Sequence, residues 1–534
     1  MSEIKIEPYT DPAGGWGSAK SLVEILTREE VPISGSALLL KQNKPGGFMC
    51  VSCAWPKPAK PATFEYCENG AKATAWEQTR KRIGPEFFAR HTVAELLTWT
   101  DFDLETQGRL THPLRYDPAS DRYAPVSWEE AFAEIGRELR GFEPKSVVYY
   151  SSGRASLETS YMYGLFARLY GNNNLPDSSN MCHEPTSIGL KASIGVPVGT
   201  TVLADFETTD CILFFGQNVG SNAPRMLHPL QDARRRNVPI ITFNPLRERG
   251  LERFTNPQSP VEMLTKSSTQ ISTQYHQVKA GGDIAAITGM CKALFAADRD
   301  AQAQGRPRVL DAAFIAEHTH GLDAFVAFCD GQDWATLEKR SGLTRAALED
   351  AAAVYARAKR VIGIYGMGLT QHRKGTETVQ MLVNLMLLRG NIGKPGAGLC
   401  PVRGHSNVQG QRTVGISEKP EQVPLDKLAE LYAFAPPREK GMNTVETCEG
   451  IVAGTVKAFI GLGGNFVRAI PDTERMEQAW RGMRLTVQIA TKLNRSHLVN
   501  GTVAYLLPCL GRIEVDTQAG GPQSVTCEDT MTKI

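Results

Sequence analysis

The strongest constraint on the fold is a recurring unit, a short run of β-branched and aromatic residues next to a helix-like stretch. SVVYYSS, CILFFGQN, VPIITFNP, RVIGIYGMG and VKAFIGLGGN are runs of this kind, with SNAPRMLHPLQDARRR and TETVQMLVNLMLL as helix-like partners. Such content predicts buried strands. A strand–helix–strand order implies right-handed parallel crossovers, and so an α/β chain with parallel sheets. In open sheets of this type ligands sit at the carboxyl ends of the strands. There the sequence places Gly216-Gln217-Asn218, Asn244-Pro245, Gly366-Met367-Gly368 and the stretch Gly461 to Asn465, which includes Gly463. None is a full G-x-G-x-x-G or Walker A sequence. Each is a tight turn or, taken with the others, part of a backbone N–H cradle for phosphates.

At 534 residues the chain is too long for one core, so several domains are expected. Lys plus Arg total 59 against 57 acidic residues, a balance that gives no reason to expect nucleic acid or an anionic membrane as partner. No apolar run is long enough to span a bilayer. The opening MSEIKIEPYTDPAGG has neither a hydrophobic signal core nor a twin-arginine pair, so a cytoplasmic location is expected. Ser127, with Glu129 and Glu130 behind it, predicts the start of a helix over AFAEIGRELR.

Eleven cysteines over this length do not make a disulfide scaffold, and any single one reads first as a small buried hydrophobe. Spacing lifts a few above that reading. The first hundred residues are rich in Gly, Pro and Lys, with little periodicity, and read as a loop-rich segment that needs an organiser other than a core. Within it stand Cys50-x-x-Cys53 and then Cys67. Soft thiolates at this spacing suit zinc or iron–sulfur, and a redox disulfide is the other chemistry open to them.

Two further segments carry chemistry. Cys182-His183-Glu184-Pro185 lies in NNNLPDSSNMCHEPTSIGL, whose polar lead-in predicts an exposed loop opening into a helix near Pro185. A thiolate beside an imidazole is a nucleophile with its base, or a metal ligand beside a proton acceptor. The other segment runs from Gly390 to Ile416. Six glycines fall from Gly390 to Gly410, alongside Arg403, His405, Asn407 and Gln409. That glycine density predicts a long shaped loop with no regular element, and long loops inside compact domains are usually functional. An arginine among glycines suits a carboxylate, phosphate or similar anion.

Together these segments resemble one family, the molybdopterin oxidoreductases, in their formate-dehydrogenase alpha-subunit-like branch, some members of which are linked to acid resistance. Cys182-His183 resembles the family's cysteine or selenocysteine metal ligand followed by histidine, and Gly390 to Gly410 its glycine-rich loop. RLTHPLRY from Arg109, with APVSWEEAF, resembles the linker out of an iron–sulfur segment. CILFFGQN and IITFNPLRERG resemble strand ends that hold a pterin dinucleotide. The resemblance implies an iron–sulfur segment over 1–108, a discontinuous α/β pterin-binding domain over 109–177 and 406–534, and a second α/β dinucleotide-binding domain over 178–405. It implies molybdenum (or tungsten) held by two molybdopterin guanine dinucleotides and by Cys182, with Arg403 orienting a small anionic substrate and His183 taking its proton. A [4Fe-4S] cluster at Cys50, Cys53 and Cys67 would pass electrons to an acceptor protein, with Lys72 bridging cluster and pterin. Gly216, Gln217, Asn218, Asn244, Gly366, Met367, Gly368, His405, Asn407, Gln409, Gly463 and Asn465 would line the cofactor.

The sequence departs from that pattern in three places. The family usually has four cluster cysteines, but AWPKPAKP places Lys57 near the third position. His405 stands where formate enzymes carry glutamine. The chain stops at VTCEDTMTKI, before the family's carboxyl-terminal barrel, so a fragment is expected. The implied activity is two-electron oxidation of formate or a similar oxo-substrate. A non-catalytic or altered-substrate relative in acid or stress response is the other reading, and a zinc-stabilised module would explain only Cys50 and Cys53.

Overall fold

A computed structural model describes residues 9–58 and 60–528. The opening MSEIKIEP lies outside the described residues, as does the end of VTCEDTMTKI beyond Glu528. Eleven strands form two sheets that position the site: β1 (Leu114–Asp117), β2 (Arg122–Pro125), β3 (Val147–Ser151), β4 (Cys211–Phe215), β5 (Ile240–Phe243), β6 (Gln274–His276), β7 (Val361–Tyr365), β8 (Gly398–Pro401), β9 (Ala458–Leu462), β10 (Leu485–Ala490) and β11 (Val503–Pro508). One sheet runs β6-β5-β4-β7-β8 and is parallel throughout. The other runs β2-β1-β11-β10-β9-β3, with β11 to β3 parallel and the β1–β2 hairpin antiparallel at one edge. The fold is therefore mixed α/β with parallel sheets, as the strand runs predict. No closed barrel occurs among the described residues.

Strands β3, β4, β7 and β9 are buried along their whole length. Strands covered on both faces read as continuous apolar runs, which is why they are visible in the sequence. The helix predicted at Ser127 spans Trp128–Arg140, and Ser127 and Glu130 cap it reciprocally. No helix among the described residues is long and apolar enough to cross a membrane.

Three expectations need correction. The first hundred residues are not mainly loop: helices span Gly15–Arg28, Pro32–Leu39 and Glu68–Gln78, closing a small core of Ile25, Leu26, Val31, Leu39, Ala71 and Ala75. The lead-in to Cys182 is buried, not exposed. Asn172, Asn173 and Asn174 are each 5% exposed or less, because their amides donate to backbone carbonyls of Val147, Pro437 and Lys145 among others. Nor is Gly390 to Ile416 free of regular structure, since it contains β8 and the helix Val408–Thr413. Glycine is required at Gly398, where φ is +144° and a Cβ would lie 2.6 Å from Thr200 Oγ1.

Candidate functional site

In the five-stranded sheet the order reverses between β4 and β7, and at such a switch point the loops after neighbouring strands part to leave a crevice. Those two loops are Gly216-Gln217-Asn218 and Gly366-Met367-Gly368. Here they do not part: Gly368 N–H donates to Gly216 O at 2.9 Å, and a Cβ on Gly368 would lie 2.6 Å from Gly216 Cα. Gln217 is buried, and Met367 is 38% exposed at the mouth. Asn218 caps the next short helix and donates to Glu248 at 2.6 Å. Asn244 donates to Leu246 O at 3.1 Å. In the other sheet Gly463 and Asn465 follow β9, with Gly463 at φ +70° packed on Ser152.

The segment before Cys182 runs beside β3, where Tyr149 and Ser151 N–H groups donate to Asn174 and Pro176 carbonyls. Asp177 then caps the short helix Ser178–Cys182. Cys182 is 7% exposed. Burial pushes the thiol up to about 11, against the pull of the nearby Arg403 guanidinium. Arg403 is 5% exposed; its Nη2 reaches Pro197 O at 3.4 Å and its Nε has no partner. Cys182 and Arg403, distant in sequence, thus lie near enough to influence each other's charge.

His183 is fully buried, with Nε2 3.0 Å from Val402 O and Nδ1 3.1 Å from Thr186 Oγ1. The first contact requires Nε2–H as donor, so Nδ1 accepts from Thr186. Burial and then Arg403 lower its pKa to about 3. The ring is neutral but has no spare lone pair in this arrangement, and it braces the loop that carries Arg403. His405 is held down to about 4, chiefly by burial and then by Arg154 and Arg512, and its Nδ1 has no partner.

The rest of the loop is tied to the end of β3. Asn407 N–H donates to Gly153 O at 3.0 Å and its amide to Ala155 O at 2.8 Å. Gln409 donates to Glu528 at 3.0 Å. These two amides, expected to line a cofactor, each hold a bond to the protein. Sequence reasoning misses the network beneath them: Arg412 pairs with Glu184 at 2.6 Å and with Asp177 at 3.4 Å, and Lys419 pairs with Glu184 at 3.0 Å. No local pattern reveals pairs formed across 228 residues.

Cys50, Cys53 and Cys67 line one small cavity of about 10 Å³, with Arg225 and Lys57 in its wall. Burial and then mutual repulsion raise Cys50 to about 11 and Cys67 to about 12. Arg225 is locked to Glu65, its Nε 3.0 Å from the carboxylate. Lys72 lies one turn beyond Cys67 and pairs with Glu68 at 2.6 Å. All eleven cysteines are free thiols.

These residues fit a resident metal and an anionic pterin. A buried guanidinium with an orphaned Nε is costly unless an anion meets it, and buried thiols become thiolates beside a strong positive centre. The comparisons agree. The sequence profile described as Molybdopterin oxidoreductase matches residues 109–495, and the chain belongs to that family. Its cofactor is accordingly a molybdenum–pterin. The chain is 51% identical to Protein YdeP of Escherichia coli (strain K12), over 99% of this chain and 70% of that protein. It is 29% identical to Formate dehydrogenase H of the same strain, over 79% of this chain and 58% of that one. Among solved structures, acetylene hydratase from Pelobacter acetylenicus aligns with a TM-score of 0.59 at 16% identity, over 82% of this chain and 60% of that chain, a likeness of fold.

Proposed function

We propose that the chain is the catalytic part of a molybdenum oxidoreductase that oxidises formate or a similar small oxo-anion by two electrons. The observation that carries this reading is the unpartnered Arg403 guanidinium Nε beside the Cys182 thiol. Cys182 would supply the protein's ligand to the metal, and two pterin guanine dinucleotides would lie along the carboxyl ends of the sheets. Bound there, the molybdenum centre supplies a two-electron acceptor. Arg403 offers a planar fork that fixes a carboxylate in one orientation. His183 is in the charge state of a base above pH about 3, and taking the substrate proton at Nδ1 requires it to give up the hydrogen bond from Thr186. Cys50, Cys53 and Cys67 would hold an iron–sulfur cluster that passes electrons to an acceptor protein.

Metal analysis of the chain made anaerobically in cells competent for molybdenum cofactor synthesis tests the reading. Molybdenum or tungsten together with iron is expected. Cys182→Ser should retain pterin and lose turnover with an artificial acceptor. Zinc alone, or no metal, overturns the proposal and favours a non-catalytic relative.

A further inference from the structure

We infer that Cys527 is the fourth thiolate of the iron–sulfur site, supplied to the cavity from the far end of the chain. This rests on reading the cavity of Cys50, Cys53 and Cys67 as a cluster site. Cys527 lines that same cavity, together with Lys57. Four thiols in the lining of one cavity are the donor set that an iron–sulfur cluster takes. Lys57, at the place where a third cysteine of the N-terminal segment is missing, carries a hard ammonium with no lone pair while protonated. A soft thiolate from elsewhere is the better iron ligand.

The position of Cys527 is held on both sides. Thr526 N–H donates to Glu158 at 3.0 Å. Glu528 N–H donates to Asn407 Oδ1 at 2.9 Å, and its carboxylate accepts from Gln409 at 3.0 Å. Arg512 donates Nη1 to the Cys527 sulfur at 3.4 Å and Nη2 to Val51 O, between Cys50 and Cys53, at 2.9 Å. One guanidinium thus spans both cysteine segments, and with Arg225 it supplies positive charge to offset the thiolates. On ligation the S–H proton leaves to solvent and an S–Fe bond forms, with no change in oxidation state.

The test is anaerobic reconstitution of the full chain with ferric iron, sulfide and a thiol reductant, reading iron per chain and the electron paramagnetic resonance spectrum after mild oxidation and after dithionite reduction. Wild type should hold about four irons, and Cys527→Ala about three, with the signal of an oxidised three-iron cluster. Cys527→Ser should keep iron with an altered spectrum, and Lys57→Ala should match wild type. Circular dichroism checks that each variant is folded. A Cys527→Ala protein with wild-type iron and spectrum overturns the inference, as does loss of one iron in Lys57→Ala, which would give the ligand to the lysine. A wild type that takes up no iron overturns the cluster reading itself.

Discussion

His183→Gln should flatten part of the chain's response to acid. His183 and His497 are 0% and 1% exposed, and burial lowers each from 6.5 to about 3. Below pH 6.5 the unfolded chain takes up a proton that the folded chain refuses until about pH 3, so stability falls as pH falls through that window. At pH 5 the deficit is 1.5 pH units for each ring, or about 2 kcal/mol at 1.36 kcal/mol per unit. Gln keeps an N–H that can reach Val402 O and never titrates. Urea unfolding at pH 7 and pH 5 should show the mutant losing about 2 kcal/mol less than wild type between the two. If both proteins lose the same amount, His183 is not held neutral in the fold.

Arg403→Lys keeps the charge but loses the fork, and a lost bidentate contact of about 2–3 kcal/mol should lower kcat/KM roughly 30- to 150-fold; equal rates with every small anion tried would make Arg403 structural. Arg412→Met leaves Asp177, whose side chain is 2% exposed, without its cation. It should cost about 3–5 kcal/mol in urea unfolding, and a loss near zero would show the pair to be dispensable. Gly368→Ala drives a Cβ to 2.6 Å from Gly216 Cα, which should cost about 1–3 kcal/mol and lower pterin content measured by fluorescence after release; unchanged pterin would separate this pair of strand-end loops from cofactor binding.

The strands are legible because burial on both faces leaves them as unbroken apolar runs, and the Ser127 helix because its cap is local. The buried asparagines before Cys182 are not, since the same residues mark exposed turns when their amides meet water instead of carbonyls. The N-terminal helices are hidden by interspersed glycine and proline, although SLVEILTR carries an amphipathic face. At the site, sequence points to Cys182 and Arg403, which the fold brings together. It carries no sign that both ring nitrogens of His183 are engaged, or that Glu184 and Arg412 meet. Those facts belong to tertiary geometry, and residue spacing does not encode them locally.

The bond from Glu528 to Asn407, together with the Arg512 link to Val51, sets an order of events at the ribosome. Residues near the start of the chain and residues more than four hundred positions later bound the same space, so no nascent intermediate presents a finished pocket. At about 5–20 residues per second, synthesis takes on the order of half a minute to two minutes, during which the early thiols wait without their late neighbours. Loading of this cavity then follows synthesis of the late segment. A maturation factor that shields the early cysteines would act in that interval.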